Sequence, residues 1–235
     1  MAILELNIAF HIDFESAVMV RTVLGLLLIV VTSCQANDLA TPSTSLNFKD
    51  EGLAECVAQQ LVKAGVKSPL ALTELKCHGK NIKELNGLEA LTRLEYLSLF
   101  NNGLTSVDLS SLKRLTYLNL ANNRLKSVEI AGLSKLETLY LFKNKLETID
   151  FSGLKRLKKI RITNNKLRNI DISPLVALEK GYFFDNQLED LALTGLANLS
   201  FIELRQNPMP DEVYDRYDAI EGVTIVHDGN ADDWK

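Results

Sequence analysis

The sequence predicts an α/β solenoid, a stack of similar coils whose short strands form a parallel β-sheet on the concave side. Three observations support this prediction. A leucine returns every 21 residues, at Leu94, Leu115, Leu136, Leu157, Leu178 and Leu199. An asparagine returns at the same interval, at Asn102, Asn123, Asn144, Asn165, Asn186 and Asn207. Apolar residues also recur in the second half of each period, so each coil has two apolar segments to bury.

Within one period, the first apolar segment alternates as a short strand does. Leu97 and Leu99 point to one side, whereas Tyr96, Ser98 and Phe100 point to the other. Stacked coils place strands about 4.8 Å apart and enclose a leucine core that one coil could not form. The asparagine amides are expected to satisfy backbone groups where the chain turns out of the strand. The second segment should face inward from the convex arc, at Val107, Leu109, Leu112, Val128, Ile130, Leu133, Ile149, Phe151 and Leu154.

The shared pattern is Leu-x-x-Leu-x-Leu-x-x-Asn-x-Leu, which resembles the leucine-rich-repeat (LRR) signature. An earlier copy, 22 residues long, begins at Leu72, and we predict repeats over residues 72–209. The region resembles bacterial LRR proteins of the internalin-like kind, which implies a module that binds proteins, and sometimes glycans, through its concave face. Internalins proper usually have slightly longer repeats and an immunoglobulin-like domain. Neither is seen here, so the resemblance does not imply a host-receptor role.

Two coils depart from the pattern. The first has Lys80 where the asparagine is expected, although Asn81 is adjacent. The fifth full repeat has Gly181 where a core leucine is expected. We expect a neighbour such as Phe183 to fill the space beside Gly181, and the alternative is a simple loss of packing.

A solenoid exposes its core at both ends, so caps are expected. Residues 48–71 are predicted to form an N-terminal cap helix, with Asp50 as the N-cap and Gly65 as the stop signal. Residues 210–235 are predicted to form a short C-terminal cap and tail. This cap combines a helix with a last edge strand over residues 222–226, and the helix is indicated by Val213, Tyr214, Tyr217 and Ile220.

Two of the three cysteines are predicted to form a disulfide bond. Cys56 lies in the cap helix and Cys77 at a core position of the first coil, so the two can meet where the cap covers that coil. In an oxidising compartment the bond would stabilise the fold by about 3 kcal/mol for a loop of this length. The alternative is a pair of buried thiols.

The N-terminal residues are predicted to direct export. The apolar run over residues 23–31 is nine residues long, too short for a membrane-spanning helix of about 20 residues but typical of a signal peptide. No basic residue precedes Met19, whereas Arg21 follows it. We therefore predict that residues 1–18 are an upstream over-extension and that residues 19–33 are a lipoprotein signal peptide.

The four residues that end at Cys34, Val-Thr-Ser-Cys, resemble the lipobox of bacterial lipoproteins. This resemblance implies that Cys34 is acylated and tethers the mature protein to a membrane, with residues 34–47 as a flexible linker. Gln35 resembles the signal for outer-membrane delivery, so the expected location is the cell envelope, facing the periplasm or the surface. The alternative is a cysteine that merely follows an ordinary signal peptide or anchor.

Composition and motifs argue against several functions. The formal charge is −4, and residues 34–235 contain 25 basic and 27 acidic side chains, so no nucleic-acid partner is expected. None of His11, His78 and His227 has a second metal ligand or a nucleophile at a recognisable spacing. We therefore predict no enzymatic activity, no metal site and no cofactor.

An acidic residue recurs once per coil on the predicted convex side, at Asp108, Glu129, Asp150 and Asp171. This column has two interpretations, a ladder of cation ligands or a solvated face beside basic side chains of adjacent turns. We favour the solvated face.

The outward strand positions are the predicted binding surface. Eight of the ten aromatic residues between Leu72 and Met209 fall on these positions, with basic residues among them. Cross-strand packing alone explains some of them, but aromatics and arginine are also typical of interaction hot spots. The expected partner is another protein, or alternatively an envelope glycan such as peptidoglycan. The predicted contact residues are Tyr96, Phe100, Tyr117, Tyr140, Phe142, Lys159, Arg161, Lys180, Tyr182, Phe184, Phe201 and Arg205.

Overall fold

The computed structural model describes residues 46–229 and begins with a capping helix, α1 (Glu51–Ala64). The Asp50 carboxylate accepts a hydrogen bond from the Leu53 N–H at 3.0 Å, which satisfies one of the free donors of the first turn. Gly65 ends the helix at a positive φ of 66°, where a side chain would be strained. The predicted N-cap and stop signal are both confirmed.

The strands that follow are three residues long, and eight of them form one parallel sheet. Two further strands on the convex side, β3 and β5, pair with each other. The sheet order is β1-β2-β4-β6-β7-β8-β9-β10, as predicted for a stack of coils. The bounds are β1 (Glu74–Lys76), β2 (Tyr96–Ser98), β3 (Ser106–Asp108), β4 (Tyr117–Asn119), β5 (Ser127–Glu129), β6 (Thr138–Tyr140), β7 (Lys159–Arg161), β8 (Lys180–Tyr182), β9 (Phe201–Glu203) and β10 (Thr224–Val226).

The core lies between the concave sheet and the convex arc. Leu97, Leu118 and Leu139 are in register at the centres of neighbouring strands and are fully buried. Leu109 and Leu112 close the core from the convex side, as predicted. Each fully buried leucine contributes about 1.5–3 kcal/mol relative to an exposed one, so this continuous core is the main stabilising feature of the solenoid.

The asparagine column ties each coil to the one before it. The Asn123 amide donates to the carbonyls of Leu99 and Leu120 at 3.0 and 2.9 Å. Its oxygen accepts from the Leu104 N–H at 3.1 Å, and Leu99 and Leu104 both belong to the preceding coil. The same arrangement recurs at Asn102, Asn144, Asn165, Asn186 and Asn207.

Each asparagine bonds to the coil before it, which explains why the first coil has Lys80 in place of asparagine. The coil has a helix before it and no earlier coil, so an amide at this position would lack its partners. Asp50 instead joins α1 to the coil, because its carboxylate also accepts from the N–H groups of Lys83 and Glu84 at 2.8 and 3.3 Å. Burial would raise the pKa of Asp50, but the hydrogen bonds from Lys83, Leu53 and Glu84 together hold it below its ordinary value.

The missing core leucine at Gly181 is replaced by an aromatic ring. Phe183 is fully buried, and a Cβ added to Gly181 would lie 2.8 Å from the Phe183 Cε2 atom. The ring of Phe183 therefore fills the space, as expected, and the glycine is the residue that permits it.

The N-terminal cap is also held covalently. A disulfide bond joins Cys56 on α1 to Cys77 after β1, which confirms the predicted pairing. The Gln60 side-chain amide donates to the Lys76 carbonyl at 3.3 Å, so α1 also satisfies a backbone group at the edge of the sheet.

The C-terminal end is closed by a second helix, α2 (Asp211–Asp218), and by β10, at the predicted helix and edge strand. Tyr217 on α2 is buried, and its hydroxyl donates to the Leu191 carbonyl at 2.9 Å and accepts from the Leu191 N–H at 3.0 Å. Burial raises the pKa of Tyr217 to about 12. The tyrosine thus satisfies backbone groups at Leu191, in the second half of the coil that begins at Leu178, where α2 covers it.

No helix within residues 46–229 has the length and apolar character needed to cross a membrane. Cys34 and the predicted signal peptide lie outside the described residues.

Candidate binding face

We define the concave face as the outward-pointing side chains of the eight-stranded sheet. Strand alternation and parallel register arrange these side chains in three columns with one residue per coil. The first column contains Tyr96, Tyr117, Thr138, Lys159, Lys180 and Phe201. The second contains Ser98, Asn119, Tyr140, Arg161, Tyr182 and Glu203. The third, just beyond the strand ends, contains Phe100, Ala121, Phe142, Thr163, Phe184 and Arg205.

Three tyrosines of the first two columns form a continuous row of rings, and a fourth, Tyr182, lies further along the face. Tyr96 and Tyr117 stack face to face with 4.1 Å between ring centroids, and Tyr140 meets Tyr117 edge-on at 5.7 Å. Burial raises the pKa of Tyr117, and the neighbouring Tyr96 hydroxyl adds to the effect. Further along, Tyr182 contacts Phe201 at 5.3 Å. These half-buried rings cover the strands beneath them.

The third column alternates large and small residues. Ala121 lies between Phe100 and Phe142, and the two rings lean over it to a centroid distance of 6.4 Å. Thr163 lies in the same way between Phe142 and Phe184, and it is only 4% exposed. Its hydroxyl is the one buried side-chain polar atom within residues 46–229 that has no hydrogen-bond partner.

Basic side chains lie over the aromatic rings. The Lys159 ammonium is 5.7 Å from the Tyr140 ring and 5.9 Å from the Tyr182 ring, so it sits between two tyrosines. The Arg161 guanidinium is 4.8 Å from the Phe142 ring. Such cation–π contacts contribute about 0.5–1 kcal/mol each at exposed sites and hold the cations in place.

The ends of the face carry balanced charge, and its centre does not. Lys76 pairs with Glu74 at the N-terminal end, and Arg205 pairs with Glu203 at 2.7 Å near the C-terminal end. Lys159, Arg161 and Lys180 form no ion pair with any carboxylate within residues 46–229. The centre of the face is therefore basic on a chain with a formal charge of −4.

The structure places all twelve predicted contact residues on this face, as the columns show. Two residues of the first coil also lie on this face: Lys76, one of the basic residues at the outward strand positions, and His78, which the prediction left out. The Lys76 ammonium lies 4.6 Å from the centroid of the Tyr96 ring, and His78 hydrogen-bonds to Ser98 at 2.7 Å. The repeat register alone would have located His78, because it occupies the next outward position after β1.

The acidic column of the convex side has a local structural role. The Asp108 and Asp171 carboxylates each accept a hydrogen bond from the serine N–H two residues further on, at 2.9 Å. Bonds from Ser110 and Ser173 lower the pKa of these two aspartates. Glu129 and Asp150 make the equivalent bonds. The column therefore closes a turn in each coil, and no metal-binding cluster of histidine, cysteine or acidic residues occurs among the described residues.

A groove with a volume of about 1100 Å³ lies outside the concave face. It is a shallow polar channel along the strand ends of the first coils, lined by residues such as Asn81, Asn101 and Arg124. None of its lining residues belongs to the three columns.

The stacked parallel strands, the asparagine column and the leucine core define a leucine-rich-repeat protein. More closely, the chain belongs to the family of the endo-beta-N-acetylglucosaminidase EndoS LRR domain, which it matches over residues 48–165. The match is to the repeat domain of that enzyme, so it carries no catalytic activity to this chain. None of the curated proteins matches the sequence.

Among solved structures, the fold resembles two internalins from Listeria monocytogenes. InlF is 23% identical, with a TM-score of 0.52 and coverage of 77% of this chain. The match spans 64% of the InlF chain, less than two thirds of its length. InlC2 is also 23% identical, with a TM-score of 0.51 and coverage of 77% of this chain and 94% of its own. These likenesses confirm the LRR fold, which is typical of protein-binding modules.

Proposed function

We propose that the chain is a non-enzymatic protein-binding module tethered in the bacterial cell envelope, and that its concave face is the binding surface. The observation that best supports this proposal is the contrast between the two sides of one sheet. Inward positions repeat the same residue types from coil to coil, whereas outward positions vary and collect rings and cations. The fold requires no such collection, since Thr138 and Asn119 fill equivalent outward positions.

A protein partner is favoured over a glycan because the faces of several aromatic rings are already covered. A sugar ring stacks on an open aromatic face, but Tyr96 and Tyr117 cover each other. Cations lie over the rings of Tyr140, Phe142 and Tyr182. Tyrosine hydroxyls and charged groups lie beside these covered faces, and such groups suit a polypeptide surface with its own side chains. An envelope glycan is the second candidate.

The tether is proposed from the lipobox pattern at Cys34. Acylation with two or more chains gives stable membrane anchoring, which a single chain does not. Mass spectrometry of membrane-extracted protein should therefore find an acylated Cys34 at the N-terminus. Cys34→Ser should release the protein from the membrane fraction, and a mature chain that begins before Ser33 would contradict the proposal.

The binding face is tested by crosslinking in living cells, with a photo-reactive residue at Tyr182. The same residue at Glu147, which is exposed on another side of the solenoid, is the control. Capture of a discrete protein from position 182 and not from position 147 is the expected result. Capture of envelope glycan alone would favour the second candidate.

A variant pair completes this test. Tyr140→Ala, Phe142→Ala and Arg161→Ala combined should abolish capture, because a few anchors dominate most interfaces at about 2 kcal/mol or more each. Alanine at Lys126, Glu147 and Arg168, which are exposed and lie outside the three columns, should leave it unchanged. Equal capture by both folded variants would show that the concave face is not the functional surface.

A further inference from the structure

We propose that the centre of the concave face binds an acidic segment of the partner protein, whose carboxylates lie between Lys159, Arg161 and Lys180. This inference rests on the proposed function, because it names the chemistry of the partner at the same face. Charge complementarity supports it, and so does the repulsion between two lysines that the sheet carries without a partner.

The cost is a pair of like charges in direct register. Lys159 and Lys180 are opposite each other on β7 and β8, whose strands lie about 4.8 Å apart. Like charges directly opposite each other on neighbouring strands are destabilising. No carboxylate within residues 46–229 pairs with either lysine, although Lys158, the residue before Lys159, pairs with Glu137 at 3.0 Å. A neutral pair would serve the fold better, so the two lysines are better explained by an external anion.

The cations are held in place for binding. Lys159 lies between the Tyr140 and Tyr182 rings, and Arg161 lies over the Phe142 ring. A long basic side chain usually loses rotamer freedom on binding, which weakens the affinity. The rings restrict these two side chains before any partner arrives, so less of that cost remains at the moment of binding.

A buried hydroxyl without a hydrogen-bond partner lies in the same part of the face. Thr163 follows Arg161 at the next outward position of its strand, and its Oγ1 atom is buried without a hydrogen-bond partner. Burying a hydroxyl in this state is unfavourable. A carboxylate oxygen at the centre of the face can accept this hydrogen bond once the Phe142 and Phe184 rings on either side of Thr163 move apart.

The anion is assigned to a polypeptide and not to a nucleic acid or an acidic glycan. Single-stranded nucleic acids bind by stacking bases on open aromatic faces, and the faces of these rings are covered by cations or other rings. A sugar ring likewise needs an open aromatic face for stacking. Glutamate and aspartate side chains need only the charged groups, and Arg161 and Lys180 are exposed.

The test is a calorimetric titration of the full chain with poly-L-glutamate, with polygalacturonate as the acidic-glycan probe. We expect poly-L-glutamate to bind more tightly than polygalacturonate, and to weaken as salt rises, because exposed charges are screened beyond about 10 Å at 0.1 M. Lys159→Gln with Lys180→Gln should weaken poly-L-glutamate binding by about tenfold or more.

The matched control is Lys145→Gln with Lys166→Gln. These exposed lysines are also one repeat apart and form no ion pair within residues 46–229, but they lie outside the three columns. The control should bind poly-L-glutamate as the unmodified chain does. Equal binding by both double variants, no binding at all, or tighter binding of polygalacturonate would each overturn the inference.

A stability measurement separates binding from folding. Lys180→Gln should raise the thermal midpoint by about 1 °C at low salt, because it removes the like-charge pair. A lower midpoint would show that the pair serves the fold and would overturn the argument from cost. Crosslinking from Tyr182 distinguishes the two proposals. If the lysine variants capture the same protein as the unmodified chain does, the proposed binding face stands and only the acidic nature of the partner segment is overturned.

Discussion

The two sides of the concave sheet follow opposite rules. The inward side repeats Leu97, Leu118 and Leu139 in register, so three coils share one residue type at one depth. The outward side of the same strands carries tyrosine, then tyrosine, then threonine, at Tyr96, Tyr117 and Thr138. Both sides have the same backbone geometry, so geometry alone does not account for the difference.

The contrast teaches which positions the fold constrains. Six similar coils in one chain act as an internal comparison, because each presents the same environment to its residues. Inward positions must fill a core of fixed spacing, and packing at crystal-like density tolerates little variation. Outward positions meet solvent or a partner, so variation there records demands other than folding. The outward face is therefore where functional residues are sought.

The largest difference in stability between an inward and an outward substitution is expected at Leu141 and Tyr140, two adjacent residues at the end of β6. Leu141 is fully buried, and Leu141→Ala should lower the free energy of unfolding by about 2–5 kcal/mol. Tyr140 is half-buried against Tyr117, so Tyr140→Ala should lower it by only about 1 kcal/mol. Urea unfolding of both variants measures the two values, and the reverse ranking would show that the assigned strand register is wrong.

A second comparison uses two adjacent asparagines. Asn123→Ala removes two hydrogen bonds that join neighbouring coils, with the Leu99 carbonyl and the Leu104 N–H, and two bonds to carbonyls within its own coil. It leaves buried backbone groups unpaired, so it should lower the free energy of unfolding by about 3 kcal/mol. Asn122 lies beside it with a φ of 56°, and its side chain donates to the Asn101 side chain. Asn122→Gly permits the same φ and should change stability by less than about 0.5 kcal/mol. Similar losses in thermal unfolding would contradict the role assigned to the asparagine column.

The smallest effect is expected at Gly181, the exception to the repeating inward leucines. Gly181→Ala places a Cβ against the Phe183 ring and should cost about 1–3 kcal/mol through overpacking. Gly181→Leu combined with Phe183→Leu restores the pattern of the other coils. The double variant should be more stable than the sum of the two single changes predicts, by at least about 0.5 kcal/mol. Additive effects in urea unfolding would show that the glycine and the phenylalanine are independent.

Much of the candidate face was predictable because outward residues are identified by counting two positions along each strand. Every predicted contact residue lies in one of the three columns. What counting did not supply is the pairing of side chains across strands. Arg205 and Lys180 are both basic outward residues, yet Arg205 is neutralised by Glu203 and Lys180 has no such partner within residues 46–229. Long side chains choose among several neighbours, and the choice depends on three-dimensional reach.

The first coil and the acidic column show the same limit. Lys80 is a deviation in the sequence, and only the direction of the Asn102 hydrogen bonds, toward the preceding coil, explains why it is tolerated. The acidic column is exposed, as expected for a solvated face, but the sequence did not indicate that each carboxylate also accepts a hydrogen bond from the backbone N–H two residues further on. Such short-range bonds depend on local φ and ψ angles that residue spacing does not specify.

The repeat, the register and the two caps follow from residue spacing along the chain, which also favoured the disulfide pair over two buried thiols. A 21-residue period with inward leucines has one stable arrangement, the stack that buries them. The tertiary structure alone decided which charges are paired, which ring faces are covered and that Thr163 is left without a partner. These properties arise between coils, where residues distant in sequence come within a few ångströms and compete for the same neighbours.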